Sequence, residues 1–119
     1  MEFRTSFGRV YRLELAFNDL SLRTICEDEA HAGNELGPNV AKALKRRLAD
    51  LRAATSVKDL VVGRPRELAG TDKQMFIDVG DDHQLVFCAN HPKNPLTGTG
   101  ELDWLKVSRI KVLRIEKQP

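Results

Sequence analysis

The segment QMFIDVGDDHQLVFCA, residues 74–89, constrains the fold most, because it joins two strand patterns through a turn. Its first part alternates apolar with other positions, namely Met75, Ile77 and Val79 against Phe76 and Asp78. This alternation is typical of a strand with one buried face, and Gly80-Asp81-Asp82 has the composition of a turn. The following run, QLVFCA, is apolar on both faces. We therefore expect its strand in the centre of a sheet.

The clearest helix pattern lies in PNVAKALKRRLADLRAAT, which follows Gly37. Proline suits the first turn of a helix, because its missing N–H would have no intrahelical partner there. One apolar stripe repeats at helical spacing: Val40, Leu44, Leu48 and Leu51. Cationic residues fall on the other side: Lys42, Lys45, Arg46 and Arg52, with Arg47 at the edge of the stripe. The helix is expected to end near residues 54–56, and SVKDL can add one more turn.

Shorter patterns predict the remaining elements. RVYRLELAF alternates and predicts a strand with four residues on one side: Tyr11, Leu13, Leu15 and Phe17. Asn18 or Asp19 offers an N-cap for a helix that is expected to end at Gly33-Asn34. PREL predicts a short strand, residues 90–103 predict a long loop, and WLKVSRIKVLRIE predicts a last strand. The order β-α-α-β-β-β-β predicts an α+β fold with two N-terminal helices packed on an antiparallel sheet.

Composition indicates a single globular domain over residues 1–119, with residues 1–8 as a flexible N-terminal extension. Hydrophobic residues make up 41% of the chain and charged residues 30%. No apolar run approaches the roughly 18 residues of a membrane span, and the N-terminus has no signal-peptide pattern. The two cysteines, Cys26 and Cys88, have no metal-ligand spacing. We therefore expect a cytoplasmic protein that binds neither a membrane nor a metal.

Basic charge is concentrated in the middle of the chain. Residues 37–75 contain nine basic and four acidic side chains, whereas residues 1–36 contain four and seven. Residues 76–119 contain six of each. Such a basic block is either the footprint of a nucleic acid or the solvated face of a helix.

Five strings, in this order along the chain, are similar to those of one protein family: LRTICED, LGPNVAKALKRRLADLRAATSVKDL, GRPREL, LVF and GELDWLKVSRIKVLRI. The first two resemble helix strings, the third a Gly-Arg-Pro-His-Pro-Leu string, and the last an Asp-Trp-x-x-Val strand. Together they resemble the RelE/ParE superfamily of bacterial toxins, most closely the HigB-like killer protein branch of type II toxin–antitoxin systems. The resemblance covers about Leu15 to Glu116.

The resemblance implies a twisted antiparallel sheet backed by two N-terminal helices, in a toxin that cuts mRNA in the ribosomal A site. It implies no metal or other cofactor, because the RNA 2′-hydroxyl serves as the internal nucleophile. Such a protein supplies a group that activates this hydroxyl, cations that stabilise the transition state, and an acid for the leaving oxygen. The implied partners are a cognate antitoxin protein, the ribosome and mRNA.

The chain departs from this branch at the residues that carry the chemistry. Arg66 stands where His usually follows Gly-Arg-Pro, and Lys73 lies just beyond an altered basic turn at residues 69–72. Gln84 replaces the Arg before LVF, and residues 116–118 replace a final Asp-Tyr-His. Carried over residue by residue, the catalytic candidates are Arg66, Lys73 and Gln84, and the RNA-binding candidates are Arg64, Arg66, Lys73 and Lys117. Gln84 and Lys117 are expected to line the same face as the arginines.

Arg64 and Arg66 lie two apart on a predicted strand and should project from one face, where paired guanidinium groups suit phosphate. The alternative is that they pair with Glu67 or Asp72. Arginine and ordinary lysine stay protonated near neutral pH, so they are poor proton-transfer groups.

Other single residues also have two interpretations. His83 and His91 can approach a substrate, although a solvated turn histidine is the commoner case. Trp104 is expected in the core rather than stacked on a base.

Two other functions stay open at the level of sequence. One is a non-catalytic protein on the toxin fold that binds or regulates an antitoxin, which the missing acid–base residues favour. The other is a ParE-like inhibitor of DNA gyrase, which needs no nuclease residues.

Overall fold

Five strands form one sheet in the computed structural model, which describes residues 12–60, 62–68 and 73–119. The strands are β1 (Glu14–Phe17), β2 (Arg66–Glu67), β3 (Gln74–Val79), β4 (His83–Ala89) and β5 (Arg109–Lys117). Their order across the sheet is β1-β5-β4-β3-β2. The expected extension at residues 1–8, Tyr11 and the turn at 69–72 lie outside the described residues.

The sheet is mixed, which corrects the prediction of an antiparallel sheet. β2, β3, β4 and β5 pair in antiparallel fashion, whereas β1 lies parallel to β5. A parallel pair is possible here because β1 and β5 are not consecutive: the helices and β2–β4 lie between them along the chain. β4 lies in the middle of the order, as its apolar sequence predicted.

In the described part of the chain three helices follow β1, where two were predicted: α1 (Leu20–Glu27), α2 (Glu29–Leu36) and α3 (Pro38–Ala53). The extra boundary is at Asp28, whose backbone is extended and whose carboxylate accepts from the N–H of His31 at 3.1 Å. Asp28 therefore ends α1 and caps α2. The expected stop at Gly33-Asn34 was wrong, because α2 continues to Leu36. No helix among the described residues has the length and apolarity to cross a membrane.

Several predicted details of the helices are confirmed. Asp19 caps α1 by accepting from the N–H of Leu22 at 2.8 Å, and Pro38 begins α3. The predicted extra turn is a short 3-10 helix at Val57–Asp59, and a second one occurs at Trp104–Lys106. The last strand therefore begins later than predicted, at Arg109.

The hydrophobic core lies between α3 and one face of the sheet. Three residues of the predicted stripe belong to it, and the fourth, Val40, is partly buried against it. The core also includes odd-numbered residues of β3 and β4; together the buried residues are Leu44, Leu48, Leu51, Met75, Ile77, Val79, Leu85, Phe87 and Ala89. Trp104 is 4% exposed and packs edge-on against Phe87, with ring centroids 6.2 Å apart. The prediction that Trp104 belongs to the core is confirmed.

The two glycines of the α2 region predict opposite effects on stability. Gly37 has φ 91° and ψ 154°, a conformation that L side chains rarely adopt, so Gly37→Ala should lower the free energy of unfolding by about 1–3 kcal/mol. Gly33 lies inside α2 with open space at its Cβ position, so Gly33→Ala should raise that free energy by about 0.5–1 kcal/mol. Urea denaturation of both variants checks this. A destabilising Gly33→Ala variant would contradict the assigned helix.

Candidate functional site

The face of the sheet that is turned away from α3, here called the open face, carries a polar row across three strands. Asp78 of β3 pairs with Gln84 of β4, which pairs with Glu116 of β5. Directly paired residues project from the same face, so these three side chains are neighbours. Gln84 is only 5% exposed, and its amide donates to Glu116.

Asp78 is the centre of the first group of interactions. Its Oδ2 accepts from Arg64 Nε at 2.7 Å, and its Oδ1 accepts from Arg66 Nη2 at 2.5 Å. Gln118 Nε2 donates to the same Oδ1 at 2.8 Å. We call these four residues the Asp78 cluster. Two guanidinium groups share one carboxylate, so the cluster keeps a net positive charge.

The backbone and an aromatic ring position the two arginines differently. Arg64 precedes β2 with φ 49°, and the N–H of Asp78 donates to the carbonyl of Gly63 at 2.7 Å beside it. Arg66 is paired with Phe76 across β2 and β3, and its guanidinium lies 4.3 Å from the centre of that ring. The Arg66 side chain is 35% exposed and that of Arg64 is 71% exposed. Arg66 is therefore held in place, while Arg64 faces solvent.

Glu116 is the centre of a second group on the same face. Gln84 Nε2 donates to its Oε2 at 2.5 Å, and Arg114 Nε donates to its Oε1 at 2.6 Å. Arg114 therefore adds a third guanidinium to the open face, two residues before Glu116 on β5. The row therefore combines three guanidinium groups and two carboxylates with the nearly buried amide of Gln84: Arg64, Arg66, Arg114, Asp78 and Glu116.

The surroundings of the two carboxylates change their pKa values. Burial raises the pKa of Asp78, but the hydrogen bonds and charges of Arg64 and Arg66 outweigh it and hold that pKa below its usual value. The hydrogen bond from Arg114 likewise lowers the pKa of Glu116, against a smaller opposing effect of burial. Both carboxylates are therefore ionised at neutral pH.

The structure brings three of the predicted site residues together. Arg64, Arg66 and Gln84 lie on the open face, and the two arginines share one side as predicted. The alternative, that the arginines pair with Glu67, was wrong for the described residues, because both arginines pair with Asp78 of β3.

Lys117 and Lys73 lie elsewhere. Lys117 is paired with His83, so it lies on the face opposite to Gln84, which corrects the expected shared face. Lys73 is exposed just before β3, five residues from Asp78, which corresponds to about 17 Å along a strand. Neither lysine belongs to the Asp78 cluster.

Four residues of the site were not predicted from sequence: Asp78, Arg114, Glu116 and Gln118. The alternation of β3 did place Asp78 opposite to the core-facing residues, on the side to which the neighbouring arginines also belong. This was the available signal. Nothing in the sequence near Gln118 indicates that its amide reaches across to β3.

The histidines have structural contacts rather than positions on the open face. His91 Nε2 accepts from the N–H groups of Ser108 and Arg109 at 3.1 and 3.3 Å, which joins the long loop to β5. His83 Nδ1 lies 2.7 Å from Asp82 Oδ1, at the core-facing side of β4. No histidine therefore lies on the open face of the described strands.

The open face can bind anions more readily than it can transfer protons. Guanidinium groups match the oxygens of a phosphate, whereas in the described polar row the carboxylates of Glu116 and Asp78 are the groups that can accept a proton. Burial raises the pKa of Cys26 to about 11 and that of Cys88 above its usual value, so both thiols are protonated at neutral pH. Within the described ranges, no group of three or more His, Cys, Asp or Glu residues is placed to hold a metal ion.

The positions of the cations on the open face suit an extended ligand. A groove of about 870 Å³ lies between β1 and α1, and its lining includes Leu15, Phe17 and Leu20 but none of the predicted site residues. The Asp78 cluster lies instead on the sheet surface. Small molecules prefer enclosed concave sites, whereas a surface row of cations suits a polymer of regularly spaced charges.

Comparison with protein-family models, curated proteins and solved structures gives no match to this chain.

The lowered pKa values predict how stability depends on pH. The stabilisation by Asp78 and Glu116 is complete above their usual pKa values of 3.8 and 4.5 and is lost as the pH falls through the lower folded-state values. Urea denaturation at about pH 6 and about pH 3 should therefore show a smaller loss of unfolding free energy in the double variant Asp78→Asn, Glu116→Gln than in the wild type. Equal losses would contradict the assigned ion pairs.

Proposed function

We propose that the chain is a toxin of the RelE/ParE superfamily, of the HigB-like killer protein branch, in a type II toxin–antitoxin module. It binds RNA across the open face and cuts mRNA on the translating ribosome through attack by the RNA 2′-hydroxyl. A cognate antitoxin protein is its partner in the cytoplasm. The observation that supports this most is the convergence of Arg64, Arg66 and Arg114 around one polar row of the sheet.

The row has the dimensions and charge of a backbone-binding surface. It runs across three neighbouring strands, which corresponds to about 10 Å from β3 to β5. The arginines at its two ends, in the Asp78 cluster and at Glu116, can each contact a phosphate oxygen through paired N–H donors. RNA that lies across the strands would therefore contact both groups together. Lys73 is a candidate contact for a more distant phosphate.

The same residues support a division of catalytic roles. Arg66 and Arg64 stabilise the negative charge that develops on the phosphorus oxygens. Gln84 positions Glu116 through its amide, and the ionised Glu116 is the proposed acceptor of the 2′-hydroxyl proton. As the 2′-oxygen bonds to phosphorus, the bond from phosphorus to the 5′-oxygen breaks, and the leaving 5′-oxygen takes its proton from water. Glu116 has a lowered pKa and is therefore a weak base. Arg114 takes the RNA-binding role that was predicted for Lys117, because Lys117 lies on the other face.

A second candidate function is a non-catalytic protein that binds an antitoxin through the toxin fold. The observation that favours it is the absence of histidine from the open face of the described strands. The ion pairs of Arg64 and Arg66 with Asp78 add support, because they neutralise part of the charge that would contact RNA. This candidate predicts that the open face neither binds nor cuts RNA.

Induced expression in a bacterium distinguishes the candidates. The toxin proposal predicts growth arrest with loss of full-length mRNA and intact chromosomal DNA. Normal growth would support the non-catalytic candidate, and DNA damage with intact mRNA would support a gyrase inhibitor. A variant with Lys42→Ala and Arg46→Ala, which removes two exposed cations from α3, should arrest growth like the wild type.

A further inference from the structure

We propose that the Asp78 carboxylate occupies the position of an RNA phosphate on the open face, so that RNA must displace it and Asp78 limits the affinity for polyanions. This inference rests on the proposed function, because it concerns the same RNA-binding face. It assigns to Asp78 a role in limiting how tightly this face binds RNA.

The donors around Asp78 are those that a phosphate would take. Two guanidinium groups and one amide, from Arg64, Arg66 and Gln118, converge on its two oxygens within 2.5 to 2.8 Å. Arginine binds carboxylate and phosphate through the same planar arrangement of N–H donors. Any phosphate that uses these arginines therefore competes with the Asp78 carboxylate.

The different exposure of the arginines indicates how the exchange begins. The Arg64 side chain is 71% exposed, so its contact with Oδ2 can open towards an approaching phosphate. Arg66 lies over the ring of Phe76 and keeps its position. Arg64 therefore contacts RNA first, and Arg66 provides the fixed part of the site.

The backbone of Asp78 holds the neighbouring elements independently of its side chain. Its N–H donates to the carbonyl of Gly63 at 2.7 Å, and its carbonyl accepts from Arg47 Nε at 3.0 Å. Asp78→Asn leaves both bonds in place and changes only the charge of the side chain. This variant therefore isolates the proposed role from the packing of β3 against α3.

The test measures the binding of a fluorescein-labelled single-stranded RNA to purified full-length protein at several salt concentrations. Asp78→Asn should bind about tenfold more tightly than the wild type near 0.1 M salt, because one repulsive charge near the surface is removed. The slope of log K against log salt should steepen by about 0.7 for each phosphate gained. Asp81→Asn is the matched control, because Asp81 is an exposed carboxylate in the adjacent turn.

The outcomes separate this inference from the proposed function. If the wild type and the double variant Arg64→Ala, Arg66→Ala bind RNA equally, the assignment of the open face as the RNA-binding surface is wrong. If these arginines matter but Asp78→Asn binds no more tightly than Asp81→Asn, only the inference is overturned.

A second measurement covers the case in which Asp78→Asn does not fold. Titration of the wild type with the same RNA should shift the NMR signals of Arg64 Nε and the Asp78 carboxylate carbon together. An unchanged Asp78 signal while Arg64 shifts would overturn the inference.

Discussion

Replacing Arg64 and Arg66 together with alanine is expected to reduce mRNA cleavage at least about 100-fold, because each charged hydrogen bond contributes about 1.5–3 kcal/mol. Both guanidinium groups lie on the open face and share Asp78. Their loss leaves that carboxylate, whose side chain is 16% exposed, as an unpaired negative charge that repels RNA. The variant therefore changes the sign of the charge at one end of the polar row.

Three companion variants make this result specific. The double variant Lys42→Ala, Arg46→Ala removes the same charge from α3 and should cleave mRNA like the wild type. The unpaired Asp78 carboxylate of the double arginine variant could unfold the protein. Adding Asp78→Asn removes this charge, and circular dichroism of the two variants shows whether both are folded. Arg64→Lys with Arg66→Lys keeps the charge but loses paired donation, so its activity should fall between the wild type and the alanine variant.

Trp104→Ala is expected to lower the free energy of unfolding by about 3–5 kcal/mol, the range for removing a large buried aromatic side chain. Trp104 contacts Phe87, which is fully buried at the centre of β4. Truncation leaves a cavity where the 3-10 turn Trp104–Lys106 meets the sheet. Urea denaturation measures the loss, and the adjacent Leu105→Ala is the control, because Leu105 is 60% exposed and should change stability by about 0.5 kcal/mol or less.

The conservative variant Trp104→Phe tests why this side chain matters. The indole N–H of Trp104 is buried and has no hydrogen-bond partner in the described part of the chain. Phenylalanine therefore loses no hydrogen bond and retains an aromatic contact. We expect a loss of about 1–2 kcal/mol, smaller than for alanine because the phenyl ring leaves a smaller cavity. A loss as large as that of Trp104→Ala would contradict the packing role.

The elements that the sequence predicted well are those set by local pattern. The β3–β4 hairpin follows from an alternating segment, a turn and a continuous apolar segment, and α3 follows from one apolar stripe after Pro38. The break at Asp28 was missed, because LSLRTICEDEAHAGNEL retains helical spacing on both sides of it. The extended backbone of Asp28 and its capping contact with His31 show in the structure that two helices meet there.

Pairings between distant segments were not predictable, and they determine the site. The register of β4 and β5 shifts between Val86 and Phe87, so that Val86 pairs with Arg114 and Phe87 with Val112. The core-facing positions of β5 therefore change from even to odd numbers along the strand. If alternate residues of β5 are counted without this bulge, Glu116 and Lys117 are each assigned to the wrong face of the sheet. The family-based candidates likewise omitted Asp78, the residue that joins the two arginines.

Cell-free translation of a defined mRNA, followed by primer extension, tests the central claim most directly. With purified wild-type protein, the account predicts cuts at positions in frame with translated codons. These cuts should disappear when translation is blocked and in the double variant Arg64→Ala, Arg66→Ala. An intact mRNA, or cuts that persist unchanged in that folded variant, would contradict the claim that the open face of the sheet acts on ribosome-bound RNA.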